Sequence, residues 1–276
     1  MSVAPGVFKN GEPLNTVETS GFAKEFVKYL ERPDEQIRRD YRTFVDDQHV
    51  YHELLREAVD RCPRRVVEML EIGTGSGCTT TLVSTWPATR VVASDILMEA
   101  LACTRRTLAL CGGRADKIFY LRADGTRLPY RDGSIDVVYH QGLLEHFHDT
   151  APFMRELKRV LRPDGSLVIN VPQTYSWYTV KKWLAMKRGE WGPGWETQFS
   201  SGDLKRLANQ HGLDLVTIRG QTYDSKWNEL AKGYRKLFRP WLPSSLDQVF
   251  SARWNRVIDH HGHRFLVEII GVFLKH

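Results

Sequence analysis

The sequence predicts an α/β fold built on a doubly wound, mostly parallel sheet, with helices ahead of it and aromatic insertions late in the chain. Three observations predict it. Short runs of Val, Ile and Leu recur, amphipathic helical stretches separate most of them, and a glycine-rich turn follows the first run directly. Strands buried on both faces read as continuous apolar runs, and helices between them imply crossover connections.

Residues 1–19 hold Pro5, Gly6, Gly11 and Pro13 with little periodicity and read as a loosely held arm. From Gly21 to Arg61 apolar residues recur at helical spacing: Phe22, Phe26, Tyr29 and Leu30, then Tyr41, Phe44 and Val45, then Tyr51, Leu54, Leu55 and Ala58. Two or three helices are expected there, so residues 1–64 form an arm and a helical cap, and residues 65–276 the sheet domain. Its strands are Arg65–Ile72, Arg90–Ser94, Lys117–Leu121, Ile135–His140 and Ser166–Val171, with helices over Leu97–Cys111 and Ala151–Leu161. A first insertion, 174–199, is rich in Trp and Lys. Ser200 then caps a helix that Gly212 ends, strand Leu213–Arg219 follows, and a second insertion (221–262) precedes the apolar strand Arg264–Leu274.

The net charge of +6 is unevenly placed. Residues 1–65 carry 11 basic and 12 acidic groups, residues 66–172 carry 12 of each, and residues 173–276 carry 16 and 9. Seven of the eight Trp also lie after Pro172, so the last third is basic and aromatic together, a mixture suited to an acidic or lipid-like partner. No secretory leader and no membrane-spanning apolar stretch is visible, which predicts a cytoplasmic protein. Cys62, Cys78, Cys103 and Cys111 form no C-x-x-C pair, and His260, His261 and His263 lack partners at ligand spacing. Neither a disulfide framework nor a metal site is predicted.

The turn Gly73-Thr74-Gly75-Ser76-Gly77 lets backbone approach a ligand closely and opens a helix whose N–H groups point at it. Such loops serve several nucleotide cofactors, and the acidic residues around this one narrow the choice. Asp95 ends the second strand, where a carboxylate accepts both ribose hydroxyls of an adenosine. Glu71 stands where it can steady the loop or meet a cationic ligand, and Asp124-Gly125 forms an acidic turn within reach of an adenine amino group. A dinucleotide needs a pyrophosphate cradle and gains nothing from carboxylates at all three strand ends.

Taken in order, Leu70-Glu71-Ile72-Gly73-Thr74-Gly75-Ser76-Gly77, Ser94-Asp95, Arg122-Ala123-Asp124-Gly125, Ile135-Asp136-Val137-Val138, Leu143-Leu144-Glu145-His146 and the stretch Glu156 to Gly165 resemble the class I, Rossmann-like S-adenosylmethionine-dependent methyltransferases. The branch is similar to that of ubiquinone/menaquinone biosynthesis and small-molecule methylation. The resemblance implies a seven-stranded sheet of order 3-2-1-4-5-7-6 with strand 7 antiparallel, and S-adenosylmethionine as methyl donor. It places Glu71, Gly73, Thr74, Gly75 and Gly77 around the methionine part, Asp95 on the ribose, Ile96 against the adenine, and Asp124 and Gly125 at its edge. The backbone of His140, Gln141 and Gly142 would line the methionine amino group.

Methyl transfer from a sulfonium needs alignment and exclusion of water, and a base only where the acceptor must lose a proton. His146, just past the fourth strand, is the first base candidate, with a positioning or lid role as the alternative; His140 is the second. The fourth strand runs on as Tyr139-His140-Gln141-Gly142 in place of an Asn/Asp-Pro-Pro-Tyr run, which disfavours methylation of exocyclic amines on adenine. Trp227 and Tyr234, on an amphipathic stretch spanning 226–241, are the candidate acceptor-binding residues. Their neighbours Lys232, Arg235 and Lys236 make that stretch either a lid or a peripheral membrane contact. The expected partner is a small, partly apolar acceptor; the aromatics fall at helical spacing, which speaks against a nucleic-acid surface. An RNA-directed methyltransferase and a catalytically silent partner subunit are the competing readings.

Overall fold

The computed structural model describes residues 8–9, 12–13, 19–189, 196–221 and 268–276. Its main sheet has seven strands: β1 (Val67–Ile72), β2 (Thr89–Asp95), β3 (Ile118–Arg122), β4 (Ile135–Gln141), β5 (Leu161–Pro172), β6 (Asp214–Gln221) and β7 (Glu268–Leu274). Their order is β3-β2-β1-β4-β5-β7-β6, with β7 antiparallel to both neighbours, as the resemblance implied. Within the arm, Phe8–Lys9 pairs antiparallel with Glu12–Pro13.

Three helices precede the sheet, α1 (Ser20–Leu30), α2 (Asp34–Asp47) and α3 (His49–Arg61). Then follow α4 (Cys78–Ser84), α5 (Met98–Cys111), α6 (Ala151–Val160), α7 (Trp177–Lys187) and α8 (Ser201–His211). Helix α8 starts with a capping box between Ser200 and Asp203 and ends at left-handed Gly212, which satisfies the free backbone groups at both ends.

Period-two alternation divides the core. Leu70, Ile72, Val138, Leu167 and Ile169 face Phe153 and Leu157 of α6 and Leu204 of α8. Met69, Val137, Tyr139 and Val168 face Tyr51, Leu54, Leu55 and Ala58 of α3, all buried as their spacing predicted. On α2 the expected face is only half-buried and Ile37 is the residue fully covered, packed with Tyr29 and Cys103. Arg106 of α5 donates to the Leu30 and Arg32 carbonyls and pairs with Asp34 at 2.7 Å. One cation thus satisfies the end of α1 and the start of α2, holding the cap against the sheet's helical layer.

At the amino end of the strands, buried Asp136 accepts from the Glu68 amide at 2.9 Å and pairs with Arg64 (2.8 Å) and Arg162 (2.5 Å). The carboxyl end is left for chemistry.

Candidate active site

The loop between β1 and α4 carries three glycines with positive φ: Gly73 (+73°), Gly75 (+52°) and Gly77 (+75°). Each is required for its own reason. A Cβ on Gly77 would lie 2.5 Å from the Thr104 Cα, so this glycine lets α4 pack on α5. The nearest atoms to a Cβ on Gly73 would be those of the Leu143 side chain, from 3.1 Å, and to one on Gly75 those of the Phe26 ring, at 3.7 Å. Those two face the crevice. The Gly73 and Thr74 amides are strapped to the Ser94 carbonyl, which holds the loop over β2.

Asp95 closes β2 and is buried; its carboxylate accepts from the Leu97 amide at 2.9 Å and the Gly75 amide at 3.3 Å, so it shapes the loop. Ile96 beside it is an exposed apolar side chain. Asp124, past β3, spends Oδ1 on the Thr126 amide and hydroxyl in an Asx turn. Gly125 has a packing reason, since a Cβ there would sit 2.6 Å from Phe153. The Thr74 hydroxyl turns inward to Thr104 at 3.0 Å, so only the backbone of Thr74 is left for a ligand.

Glu71 lies beneath the loop, buried, accepting hydrogen bonds from the Thr80 and Tyr139 hydroxyls. Burial pushes its carboxyl up to about 8 against the pull of those hydrogen bonds. Burial likewise raises Glu145 and Glu268, and it depresses His140 to about 3 and His52 to about 4. Between the ordinary carboxylate range and about pH 8 the folded protein holds Glu71 protons that the unfolded chain releases, so stability falls as pH rises through that window. The histidines act oppositely and only below about 6.5. Ligand-free protein is therefore expected to lose thermal stability between about pH 6.5 and 8, and Glu71→Gln to flatten that slope; calorimetric melts across this range check it.

Beyond β4 the chain turns through left-handed Gly142 (φ +62°), whose amide donates to the Asn170 carbonyl at 3.0 Å. The next turn, Leu144–His146, places His146 with its ring 5.0 Å from Phe22 of α1, edge to face. Glu145 is buried, and its Oε2 has no hydrogen-bond partner among the described residues. Nearby, buried Lys182 of α7 pairs with buried Glu196 at 3.6 Å, and the Tyr178 hydroxyl donates to both Glu196 oxygens (3.0 and 3.1 Å). The Thr197 amide donates to the Glu145 carbonyl at 2.8 Å, tying the first insertion to this turn.

A polar row crosses the carboxyl ends of the strands on the α3 side. The Gln48 side-chain oxygen, at the α2–α3 junction, accepts from Gln141 at 2.7 Å and from Gln221. Glu268 accepts from Asn170 and Gln221, both at 2.8 Å. Gln48, Asn170, Gln221, Glu268, Glu145 and Lys182 were not singled out from the sequence. A signal was present in three of them, which interrupt or bound otherwise apolar strands: Asn170 near the end of β5, Gln221 closing β6 and Glu268 opening β7.

The structure brings Glu71, the glycine loop, Asp95, Ile96, Gly142 and His146 to one edge of the sheet. It takes His140 out of the crevice: the ring is fully buried 5.4 Å from Phe153, and neither nitrogen has a hydrogen-bond partner among the described residues. Alternation in β4 turns this side chain to the α6 face, so a proton-transfer role for it is withdrawn. Trp227 and Tyr234 lie outside the described residues.

Residues 70–169 match the family model of a methyltransferase domain. Over these residues the chain carries a methyltransferase domain. A Mycobacterium tuberculosis protein named as a probable S-adenosylmethionine-dependent methyltransferase is 35% identical over 112 residues, covering 41% of this chain and 37% of that protein. The demethylmenaquinone methyltransferase of Thermus thermophilus is 33% identical over 113 residues, covering 41% and 49%. The chain thus matches less than half the length of either relative. Among solved structures, a Haemonchus contortus phosphoethanolamine N-methyltransferase in complex with S-adenosylmethionine superposes with a TM-score of 0.57 at 15% identity, covering 96% of this chain and 61% of that one, which shows the fold.

The residues present in the methyltransferase domain fit the cofactor. Gly73 and Gly75 leave the room a Cβ would fill, and the buried Asp95 carboxylate closes β2 beside them, bonded to the Gly75 amide.

Proposed function

We propose that the protein transfers a methyl group from S-adenosylmethionine to a small, partly apolar acceptor held between the His146 turn and the roof made by α1. The observation that carries this is the placement of Phe22 on His146 and of Phe26 over Gly75. Both rings come from one cap helix, Phe26 over the glycine loop and Phe22 over the His146 turn, so aromatic side chains of the chain itself roof the crevice, which suits a molecule that can be enclosed better than a macromolecular strand. The similarity to a demethylmenaquinone methyltransferase supports the same class.

When bound, the cofactor supplies an electrophilic methyl on a sulfonium. The protein's part is alignment and dryness: the strapped loop and Asp95 hold one side, with Phe26 and Leu143 packed against Gly75 and Gly73, and Phe22 excludes water over the His146 turn. His146 takes the proton of a hydroxyl or phenol acceptor.

The test is product mass: incubation with S-adenosylmethionine and a panel of quinols, phenols and aromatic amines should yield a singly methylated product. His146→Ala is expected to lower kcat by about 100-fold or more with cofactor affinity unchanged. Phe22→Ala should chiefly raise acceptor KM. If His146→Ala leaves kcat and its pH profile unaltered, the histidine only positions the turn.

A further inference from the structure

Helix α7 is turned inside out. Among its described side chains the buried one is a lysine, Lys182, 5% exposed and paired with Glu196 beneath the helix. Its outer face carries Val180, Trp183 and Leu184 at the i, i+3, i+4 spacing of one stripe, with Met186 beside them; Trp183 is 53% exposed and Met186 56%. Tyr175, just before the helix, is 67% exposed. A soluble helix normally shows the reverse pattern, and clustered exposed apolar side chains mark a contact surface.

Charge selects the occupant. Lys181, Lys187 and Arg188 are all exposed around the apolar stripe, and Lys187 Nζ lies 3.8 Å from the Trp183 ring centroid. Aromatic and aliphatic side chains ringed by cations are the composition of a helix lying in the interface of an anionic bilayer, the rings at headgroup depth and the lysines toward lipid phosphate. A second copy of this chain would set like charges against each other. So would the chain's own residues 222–267, which hold eight basic and four acidic groups.

We propose that the Val180–Trp183–Leu184–Met186 face of α7 seats the protein on an anionic lipid surface. This element is separate from the stretch 226–241 to which the sequence assigned a lid or membrane role. Because α7 follows β5 at the carboxyl end of the sheet, seating it brings the mouth of the methyltransferase site to the lipid. The assignment stands whatever the acceptor is.

Vesicle sedimentation tests it, with phosphatidylcholine vesicles prepared with and without phosphatidylglycerol. The wild-type chain is expected to sediment with the phosphatidylglycerol vesicles and to be released by raised salt. Trp183→Glu/Leu184→Glu should weaken that partition at least about tenfold, because two apolar groups leave the bilayer. Lys187→Glu/Arg188→Glu should weaken binding to anionic vesicles, while Phe119→Ser, at an exposed apolar residue on the far edge strand β3, should not. All substitutions are at exposed positions, and circular dichroism confirms folding. Failure of the wild-type chain to bind anionic vesicles, or binding indifferent to both α7 double substitutions, would overturn the proposal. So would a wild-type dimer in sedimentation velocity that Trp183→Glu/Leu184→Glu dissolves in the absence of vesicle binding; the face would then be a self-contact.

Discussion

Asp95→Ala is expected to lower S-adenosylmethionine affinity by about 100-fold or more, because hydrogen bonds to a charged acceptor contribute about 1.5–3 kcal/mol each and the carboxylate can accept two from a ribose. The same carboxylate accepts from the Gly75 and Leu97 amides, so the alanine variant also loosens the loop on the cofactor's other side. Asp95→Asn keeps one acceptor oxygen and should fall between wild type and alanine. Titration calorimetry reads the affinities, and thermal melts separate a lost ligand from a lost fold. Wild-type affinity in both variants would remove the cofactor from this crevice.

The second large effect distinguishes two glycines of the same loop. Gly77→Val is expected to prevent folding. A left-handed backbone costs a branched side chain about 1–2 kcal/mol, and its Cβ would lie 2.5 Å from the Thr104 Cα, where backbone must move. Together these come to about 2–5 kcal/mol or more, comparable with the lower end of a typical domain's stability, about 5–15 kcal/mol. Gly73→Val carries the same backbone strain, but its nearest neighbours are the end of the Leu143 side chain, which can turn away. It should fold, melt a few degrees lower, and bind no cofactor. Circular dichroism and calorimetry on the pair check this; equal behaviour of the two variants would mean that the loop glycines share one role.

The glycine loop and the carboxylates at the strand ends were legible because their constraints are local. A loop that must admit a ligand to its backbone shows its glycines, and a carboxylate one strand away stands at a strand end that hydrophobic runs delimit. The acceptor half was not. His140 looked available because it ends an apolar run beside the crevice, and only the pleat of β4 decides that it faces Phe153. Gly125 read as a ligand contact, yet the 2.6 Å approach to Phe153 gives it a packing reason that only the docked α6 reveals. Lys182, one of several lysines in a basic stretch, gave no sign that it would be buried against Glu196, 14 residues on.

What the sequence by itself determined is therefore the order of strands and helices, the glycine loop and the acidic strand ends, since each rests on periodicity or on spacing within a few residues. The tertiary structure alone decided which side chains meet across long separations: Gln48 with Gln221, Phe22 with His146, and the apolar face of α7 with solvent. The physical reason is that these contacts follow from the sheet's winding and the pleat of each strand, which set the facing of a side chain only after distant segments have packed.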